Sequence, residues 1–299
     1  MTTLAPRIAP GVARLRTSRT VRVSVTITVA LAALAIVGLW IGAPVPVDCC
    51  AAGPTLAHPL GLDVLGRDVL ALTLRGLATT TLIVLAATVL ALLFGTLYGV
   101  VAAALPPHLG AAGMRVVDVV AATPITLIVV TLMVAVRAAR AELPSAFGPV
   151  LDSRFLLVFC VASLQWLSLA RVVHARLASL AARPFIRAAR IAGMGPLSLL
   201  VHHVIPHARG PLFVFGLLAL PSGVTAEGFF SFLGFGVEEP HVSLGMLIGV
   251  GARSMSVAPL TLFAPAVTLV AATIALQVLG ASLRDDLQPE GSPDDRRTR

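Results

Sequence analysis

The sequence predicts an all-α, polytopic membrane protein with about six transmembrane helices. Hydrophobic residues make up 57% of the 299-residue chain and charged residues only 12%, and the mean hydropathy is +0.95. Such values lie outside the range of soluble globular proteins. Six apolar runs, most of them about 20 residues long, have the length that a helix needs to cross roughly 30 Å of hydrocarbon. The lipid bilayer is therefore the expected surroundings of most of the chain.

The six predicted spans cover, approximately, residues 23–43, 77–105, 116–136, 155–170, 212–230 and 258–279. Together they form a transmembrane domain, residues 23–283, between a basic N-terminal tail, 1–22, and a C-terminal tail, 284–299. The C-terminal tail mixes both charge signs with Pro and Gly, so we expect it to be disordered.

The first span is predicted to be a retained helix. The N-terminal tail before it contains five Arg and no acidic residue. The span itself is longer than the apolar region of a signal peptide, and it ends at Pro44 and Pro46 without a small-residue cleavage site. Residues 44–76 combine charged residues with Pro and Gly, which predicts a loop and a short amphipathic helix outside the bilayer.

The second and third spans carry two notable pairs. Gly95 and Gly99 have the four-residue spacing that allows helices to approach closely. Asp118 lies at the mouth of the third span, where an ionisable residue is costly unless it is paired or lines a cavity. Because Arg115 precedes it by three residues on the same helix face, we expect these two residues to form an ion pair. Pro124 falls within the same span.

The distribution of Arg sets the orientation. Both tails, the turn at 105–115 and the loop at 171–211 share one side of the membrane and hold nearly all the excess Arg. The loops on the other side are near neutral or slightly acidic. The positive-inside rule therefore places both termini in the cytoplasm and residues 44–76 on the exported side.

The loop between the fourth and fifth spans is longer than a connection requires. Residues 171–209 contain six Arg, four His and no acidic residue. A helix is predicted over 178–192, a break at Gly193, and a second helical stretch over 197–205. A helix, turn and helix at the membrane surface can occupy a groove of a partner protein. Contact of the Arg residues with anionic lipid headgroups is the alternative.

The composition excludes several chemistries. The formal charge of +8 arises from 22 basic and 14 acidic residues, and every basic residue is Arg. A Walker A phosphate loop and a Schiff base both require Lys, so any ATP that the protein uses is bound by another chain. The Arg residues lie in short loops rather than on a basic face with aromatic residues between them, so we expect no nucleic-acid partner.

Cysteines and histidines give no metal signal. Cys49, Cys50 and Cys160 have neither a disulfide framework nor metal spacing, and we interpret them as structural. His203 and His207 are four residues apart, but a proline lies between them and no carboxylate is near. We expect no metal and no cofactor. The glutamates at 227, 238 and 239 either lie in a solvated loop or attract a cationic group on the exported side.

Five motifs, in order, resemble one family. The residues H-P-L-G-L-D-V-L-G-R-D-V-L (58–70), M-R-V-V-D (114–118), R-A-A-R-I-A-G (187–193) followed by H-V-I-P (203–206), A-E-G-F-F-S-F-L-G-F-G-V (226–237) and L-G-A-S-L-R-D-D-L-Q-P (279–289) carry the resemblance. The chain is similar over essentially its whole length to binding-protein-dependent ABC importer permeases. It most resembles the second permease subunit of the dipeptide, oligopeptide and nickel subfamily.

The resemblance implies the type I ABC importer permease fold and a set of partners. These are a second permease, two ATPase subunits, an extracytoplasmic solute-binding protein and the lipid bilayer of the bacterial cytoplasmic membrane. The chain would be a non-catalytic subunit, with ATP hydrolysis on the ATPases. Together with the second permease it would form the path for short peptides, with nickel or another small solute as the alternative.

The resemblance also assigns residues. The ATPase-coupling loop would comprise Arg187, Ala188, Ala189, Gly193, His203 and Pro206. The exported-face motif would comprise Asp63, Gly66, Arg67 and Asp68. The family loop usually begins with Glu where this chain has Arg187, so a charge of opposite sign would face the ATPase. His207 and Leu62 likewise replace the Asn and Thr that are usual in the family.

Two other function classes are less consistent with the sequence. An intramembrane hydrolase needs a Ser paired with a His on facing helices, or two intramembrane carboxylates. The histidines of this chain lie mainly in loops. A passive channel or a membrane scaffold would differ from an importer in needing neither ATPase partners nor ATP.

Overall fold

The computed structural model describes residues 19–42, 46, 50–139, 152–181 and 205–287. Within these ranges the chain forms eight helices. An isolated β-bridge joins Leu62 and Asp68. The helices are α1 (Arg19–Trp40), α2 (Val69–Ala104), α3 (Pro107–Ala122), α4 (Ile125–Ala139), α5 (Ser153–Ala181), α6 (Ile205–Phe232), α7 (Leu244–Arg253) and α8 (Leu260–Leu287). The predicted all-α class is confirmed.

Five of these helices, α1, α2, α5, α6 and α8, are long and apolar enough to cross a bilayer. A sixth span is counted if α3 and α4 form one broken span, since the two helices are bent by 76° relative to each other. The count of about six spans is confirmed.

The third span is not the single helix predicted for residues 116–136. It is broken between α3 and α4, at Thr123 and Pro124. Pro124 disfavours the helical conformation of the residue before it, and Thr123 has the extended angles φ −77° and ψ 152°. The proline was visible in the sequence, but its effect on the direction of the span was not predicted.

Three predicted boundaries are also corrected. Helix α2 begins at Val69 rather than at residue 77. Within the predicted segment 44–76, residues 50–68 form a loop, and residues 69–76 are the first turns of α2 rather than a separate amphipathic helix. Helix α5 continues to Ala181 rather than ending near 170, and α8 continues through Leu287 into the predicted tail. Hydropathy locates the apolar part of a helix, whereas Ala, Leu and Arg extend the helix itself beyond the hydrocarbon.

The bundle is built around α2, which packs along α5 and also contacts α1, α6 and α8. Helices α2 and α5 approach each other closely at Gly95 and Gly99. A Cβ atom added to Gly95 would lie 2.7 Å from the Leu169 Cβ, and one added to Gly99 would lie 2.8 Å from the Val173 Cβ. The backbones of α2 and α5 therefore meet directly, as the spacing of the two glycines indicated.

A buried glutamine links the three central helices. The Gln165 side chain, on α5, accepts a hydrogen bond from the Thr88 hydroxyl of α2 at 3.2 Å. Its amide nitrogen donates to the Ala219 carbonyl of α6 at 3.1 Å. Because hydrocarbon offers no competing partners, these bonds hold the three helices in one register.

Enlarging Gly99 is expected to separate α2 from α5. The Gly99→Leu variant places carbon atoms against the Ala170 carbonyl, 2.8 Å from the new Cβ. Overpacking of this kind costs about 1–3 kcal/mol, so the thermal unfolding midpoint in detergent should fall. Gly210→Leu is the matched control, because nothing lies within 4 Å of a Cβ added to that helical glycine. Equal midpoints for the two variants would contradict this packing.

Candidate functional site

The segment before α2 folds into a compact loop. Gly61 and Gly66 have φ angles of 74° and 70°, a region that side chains other than Gly rarely adopt. The Asp63 amide donates to the Arg67 carbonyl at 2.9 Å, and the Gly66 amide donates to the Asp63 carbonyl at 3.0 Å. These bonds close the turn and place the motif residues side by side.

Asp63 is the centre of this loop. Its side chain is fully buried, and its Oδ1 accepts hydrogen bonds from the Leu65 and Arg67 amides at 2.9 and 2.8 Å. Its Oδ2 accepts from the Arg67 Nε at 2.9 Å. Both oxygens of the carboxylate are thus engaged within the loop, and burial of the charge is compensated by these donors.

Arg67 connects this loop to a second one. Its Nη1 donates to the Glu239 Oε1 at 3.1 Å. Glu239 is distant in sequence and lies in the loop that follows α6. Burial opposes the charge of Arg67, but its bonds to Asp63 and Glu239 outweigh that effect and raise the pKa of the guanidinium. We call the segments 50–68 and 233–243 the paired loops.

Asp68 starts helix α2. Its Oδ1 accepts from the Leu70 and Ala71 amides at 2.7 and 3.2 Å, as an N-cap does. Its Oδ2 lies 2.7 Å from the His58 Nδ1. Burial opposes ionisation, but the bonds to His58 and to the two amides outweigh it and lower the pKa of Asp68. The cap explains why α2 begins earlier than hydropathy predicts.

Arg137, at the end of α4, holds the second paired loop. Its guanidinium donates to the carbonyls of Gly234 and Gly236 at 2.7 and 2.8 Å, and lies 3.4 Å from the Glu238 carboxylate. The Glu238 amide donates to the Ser153 hydroxyl at the start of α5 at 3.3 Å. The peptide bond before Pro240 is cis. The second loop is thus fixed to α4 and α5 as well as to the first loop.

Glu227 lies beneath the paired loops, inside α6. Its side chain is fully buried, and it accepts hydrogen bonds from the Ser231 and Thr80 hydroxyls at 2.6 and 3.0 Å. The Ser243 hydroxyl is a third partner of the same carboxyl group. Thr80 also accepts from the Leu244 amide at 3.1 Å. One carboxyl group therefore joins α2, α6 and the start of α7.

The two expectations for the glutamates are therefore answered differently. Glu227 lies neither in a solvated loop nor at an exposed surface. The side chains of Glu238 and Glu239 are 48% and 58% exposed; Glu238 pairs with Arg137 of α4, and Glu239 pairs with Arg67 of the first paired loop. The sequence signal for Glu227 was its place inside an apolar run with a Ser four residues later, a spacing that puts both side chains on one helix face.

The predicted pair of Arg115 and Asp118 is wrong in its partner. The Asp118 Oδ1 lies 3.7 Å from the Arg171 Nη1 of α5, and the Asp118 side chain is 61% exposed. Arg115 is exposed on α3. Helix α3 lies against α5, so Arg171 of the neighbouring helix takes the place of Arg115, a pairing that spacing within one helix does not reveal.

Most of the predicted coupling loop lies outside the described residues, namely Arg187, Ala188, Ala189, Gly193 and His203. Pro206 is the second residue of α6, a position where its missing amide proton removes no helical hydrogen bond. Sequence reasoning did not single out Arg137, His58, Thr80 or Ser153. Within the ranges that the structure covers, no group of three His, Cys, Asp or Glu side chains could hold a metal ion.

Removing the Glu227 carboxyl group should destabilise the bundle strongly. Glu227→Ala leaves the Thr80 and Ser231 hydroxyls buried without their acceptor, at about 1–3 kcal/mol for each group. We expect a large fall in the thermal unfolding midpoint in detergent, and a smaller one for Glu227→Gln. The control is Glu239→Gln, because its half-exposed ion pair contributes about 1 kcal/mol or less. An unchanged midpoint for Glu227→Ala would show that the network is not stabilising.

Acid should weaken the ion pair between Asp152 and Arg154 at the start of α5. Hydrogen bonds from the Arg154 guanidinium lower the pKa of Asp152 to about 2, against a smaller opposing effect of burial. Since this pKa is depressed on folding, the stabilisation is complete above the ordinary value of 3.8 and is lost as the pH falls towards 2. The difference in unfolding midpoint between the wild type and Asp152→Asn should therefore shrink between pH 6 and pH 2.5. A constant difference would exclude this pairing.

Comparison with known proteins gives a consistent result. Residues 95–289 match the family model described as the binding-protein-dependent transport system inner membrane component. The oligopeptide transport system permease protein OppC of Haemophilus influenzae is 30% identical over 80% of this chain and 73% of its own length. OppC of Bacillus subtilis is 30% identical over 79% of this chain and 73% of its own length.

OppC of Mycobacterium tuberculosis is 31% identical over 79% of this chain and 77% of its own length. The match of the family model covers more than half of the chain, and the apolar helices α1, α2, α5, α6 and α8 agree with a multi-pass protein of the bacterial cytoplasmic membrane. The chain belongs to the family of inner membrane components of binding-protein-dependent transport systems, and it is a transport permease.

Proposed function

We propose that this chain is one permease subunit of an ATP-driven importer and that, with a second permease, it forms the path for short peptides delivered by a solute-binding protein. The observation that carries the proposal is the similarity to OppC proteins, named for oligopeptide transport, over about four fifths of the chain. Nickel or another small solute would use the same architecture and is the alternative substrate. A passive channel or scaffold is the alternative that needs no ATP.

The positions of the helix ends support an assignment of sides. Helix α5 begins at Ser153, which contacts Glu238, and α6 ends at Phe232, next to the second paired loop. The opposite ends of these two helices, Ala181 and Ile205, therefore lie at the other end of the bundle. We propose that this other end, which carries the segment 182–204, is cytoplasmic and that the paired loops face the exported side.

Partner subunits would cover the outer faces of the bundle. Large apolar side chains on α2, α3 and α4 are exposed, among them Leu93 at 64%, Val119 at 66% and Leu127 at 65%. Apolar surface of this extent must be covered by lipid or by another protein. These helices offer the second permease a contact surface, and the motif residues Asp63, Gly66, Arg67 and Asp68 shape the exported face beside it.

The coupling loop would transmit ATP binding. In the proposal, Arg187, Ala188, Ala189 and Gly193 dock into an ATPase subunit, and His203 and Pro206 lead back into α6. A displacement of this loop acts directly on α5 and α6, because it connects the end of α5 to the start of α6. The absence of Lys from the chain agrees with ATP being bound by partner chains.

Reconstitution tests the function. The two permeases and two ATPases, in proteoliposomes with the solute-binding protein outside, should accumulate a labelled peptide only with ATP inside. Accumulation of nickel instead of peptide would support the alternative substrate. Peptide entry without ATP would indicate a passive channel and would refute the importer.

Charge reversal at Arg187 should reduce coupling. If Arg187 contacts an acidic residue of the ATPase, Arg187→Glu replaces an attraction with a repulsion. We expect peptide uptake and peptide-stimulated ATP hydrolysis to fall by about tenfold, as for the loss of roughly 1.4 kcal/mol of docking energy. Arg190→Glu is the control, since it makes the same change of net charge in the same loop. Unchanged uptake by Arg187→Glu would show that residue 187 is not an electrostatic docking point.

A further inference from the structure

A cationic cavity lies between α1, α2, α5 and the second paired loop. Its volume is about 420 Å³, and its polar lining comes from Arg75, Thr79, Arg154 and His241. The remaining wall is apolar and includes Leu39 of α1 and Phe155 of α5. The cavity therefore combines a cationic end with an apolar wall.

Arg75 is a cation of this cavity that has no acidic partner among the described residues. Its Nη1 is buried and has no hydrogen-bond partner, and among the described residues no carboxylate lies within ion-pair distance of its guanidinium. Arg154, by contrast, forms two side-chain hydrogen bonds to Asp152 at 2.9 and 3.2 Å. Burying a guanidinium nitrogen without an acceptor costs free energy, so binding of an anionic oxygen in the cavity would be favourable.

His241 supplies a further polar group but little charge. Burial, followed by the charges of Arg154 and Arg75, lowers the pKa of His241 despite the opposing effect of Asp152. The imidazole is therefore neutral near pH 7 and can donate one hydrogen bond. The ligand that suits this set is a single oxyanion bound by Arg75, with additional donors at its rim.

The apolar wall continues onto the outer surface of the bundle. Leu39, Leu82 and Phe155 line the cavity and are also 54%, 52% and 56% exposed. Trp40, beside Leu39, is 87% exposed at the end of α1, and Trp at a helix end is typical of the depth of lipid headgroups. The cavity is thus open sideways, at the level where headgroups meet acyl chains.

From this geometry we propose that the cavity binds the phosphate of an anionic phospholipid, with Arg75 as its principal ligand and an acyl chain along Leu39, Leu82 and Phe155. The negatively charged headgroup supplies the acceptor that the buried Nη1 of Arg75 lacks. The lateral apolar opening admits a lipid from the bilayer without passage through water. A peptide carboxylate has the same oxyanion chemistry, but it would reach the cavity from the aqueous side.

The assembled importer in mild detergent provides the test. Native mass spectrometry after incubation with phosphatidylglycerol should show retained lipid, and phosphatidylcholine should be retained much less. Arg75→Gln should lower retention of phosphatidylglycerol by about tenfold, the effect of losing one charge-assisted hydrogen bond. Arg253→Gln is the control, because Arg253 is an exposed Arg on α7 outside this cavity.

Two results would overturn the proposal. One is equal retention of the two lipids, or wild-type retention by Arg75→Gln. The other is displacement of phosphatidylglycerol by tri-alanine but not by its C-terminal amide, which would identify a peptide-carboxylate site. Should Arg75→Gln fail to fold, the wild-type protein still tests the proposal. Phosphatidylglycerol, and not phosphatidylcholine, must then raise the thermal unfolding midpoint of the wild type, and an equal effect of the two lipids would overturn the proposal.

Discussion

The structure depends on the satisfaction of polar groups inside a bundle that hydrocarbon surrounds. Thr80 shows how this constraint works, because its single hydroxyl donates to Glu227 and accepts from the Leu244 amide. That arrangement fixes α2 against α6 and also fixes the first turn of α7. Since lipid offers no substitute partner, any relative shift of these helices would break bonds that cannot be replaced. The position of the second paired loop, between α6 and α7, follows from this constraint.

The paired loops extend the same network beyond the membrane core. Asp63 organises the first loop, Arg67 carries the connection to Glu239, and Arg137 anchors the second loop from α4. Individually, exposed ion pairs contribute little, but here each cation also bonds a buried or backbone acceptor. The motif residues at 63 and 66–68 are thus engaged mainly in shaping the loops. A partner would meet their common surface rather than a free Asp63 or Arg67.

Much of the fold could be predicted because a bilayer leaves few options. Apolar runs of sufficient length must be helices, and the spacing of Gly95 and Gly99 correctly indicated close helix packing. The ends of the helices were harder to predict from the sequence, because the cap at Asp68 and the bend at Pro124 depend on local geometry rather than on hydropathy. The partner of Asp118 depended on which helix lies alongside α3, and no pattern within one helix contains that information.

The same logic constrains how this permease can move. Gln165 and the glycines at 95 and 99 lock α2, α5 and α6 together through backbone contact and hydrogen bonds. A packed core of this kind has discrete arrangements and does not deform continuously. If the segment 182–204 docks on an ATPase as proposed, a shift there would tilt these three helices as one body. Because Ser153 and Phe232 stand at the far ends of α5 and α6, the tilt would move the paired loops directly, and transmission across the membrane would require no separate relay.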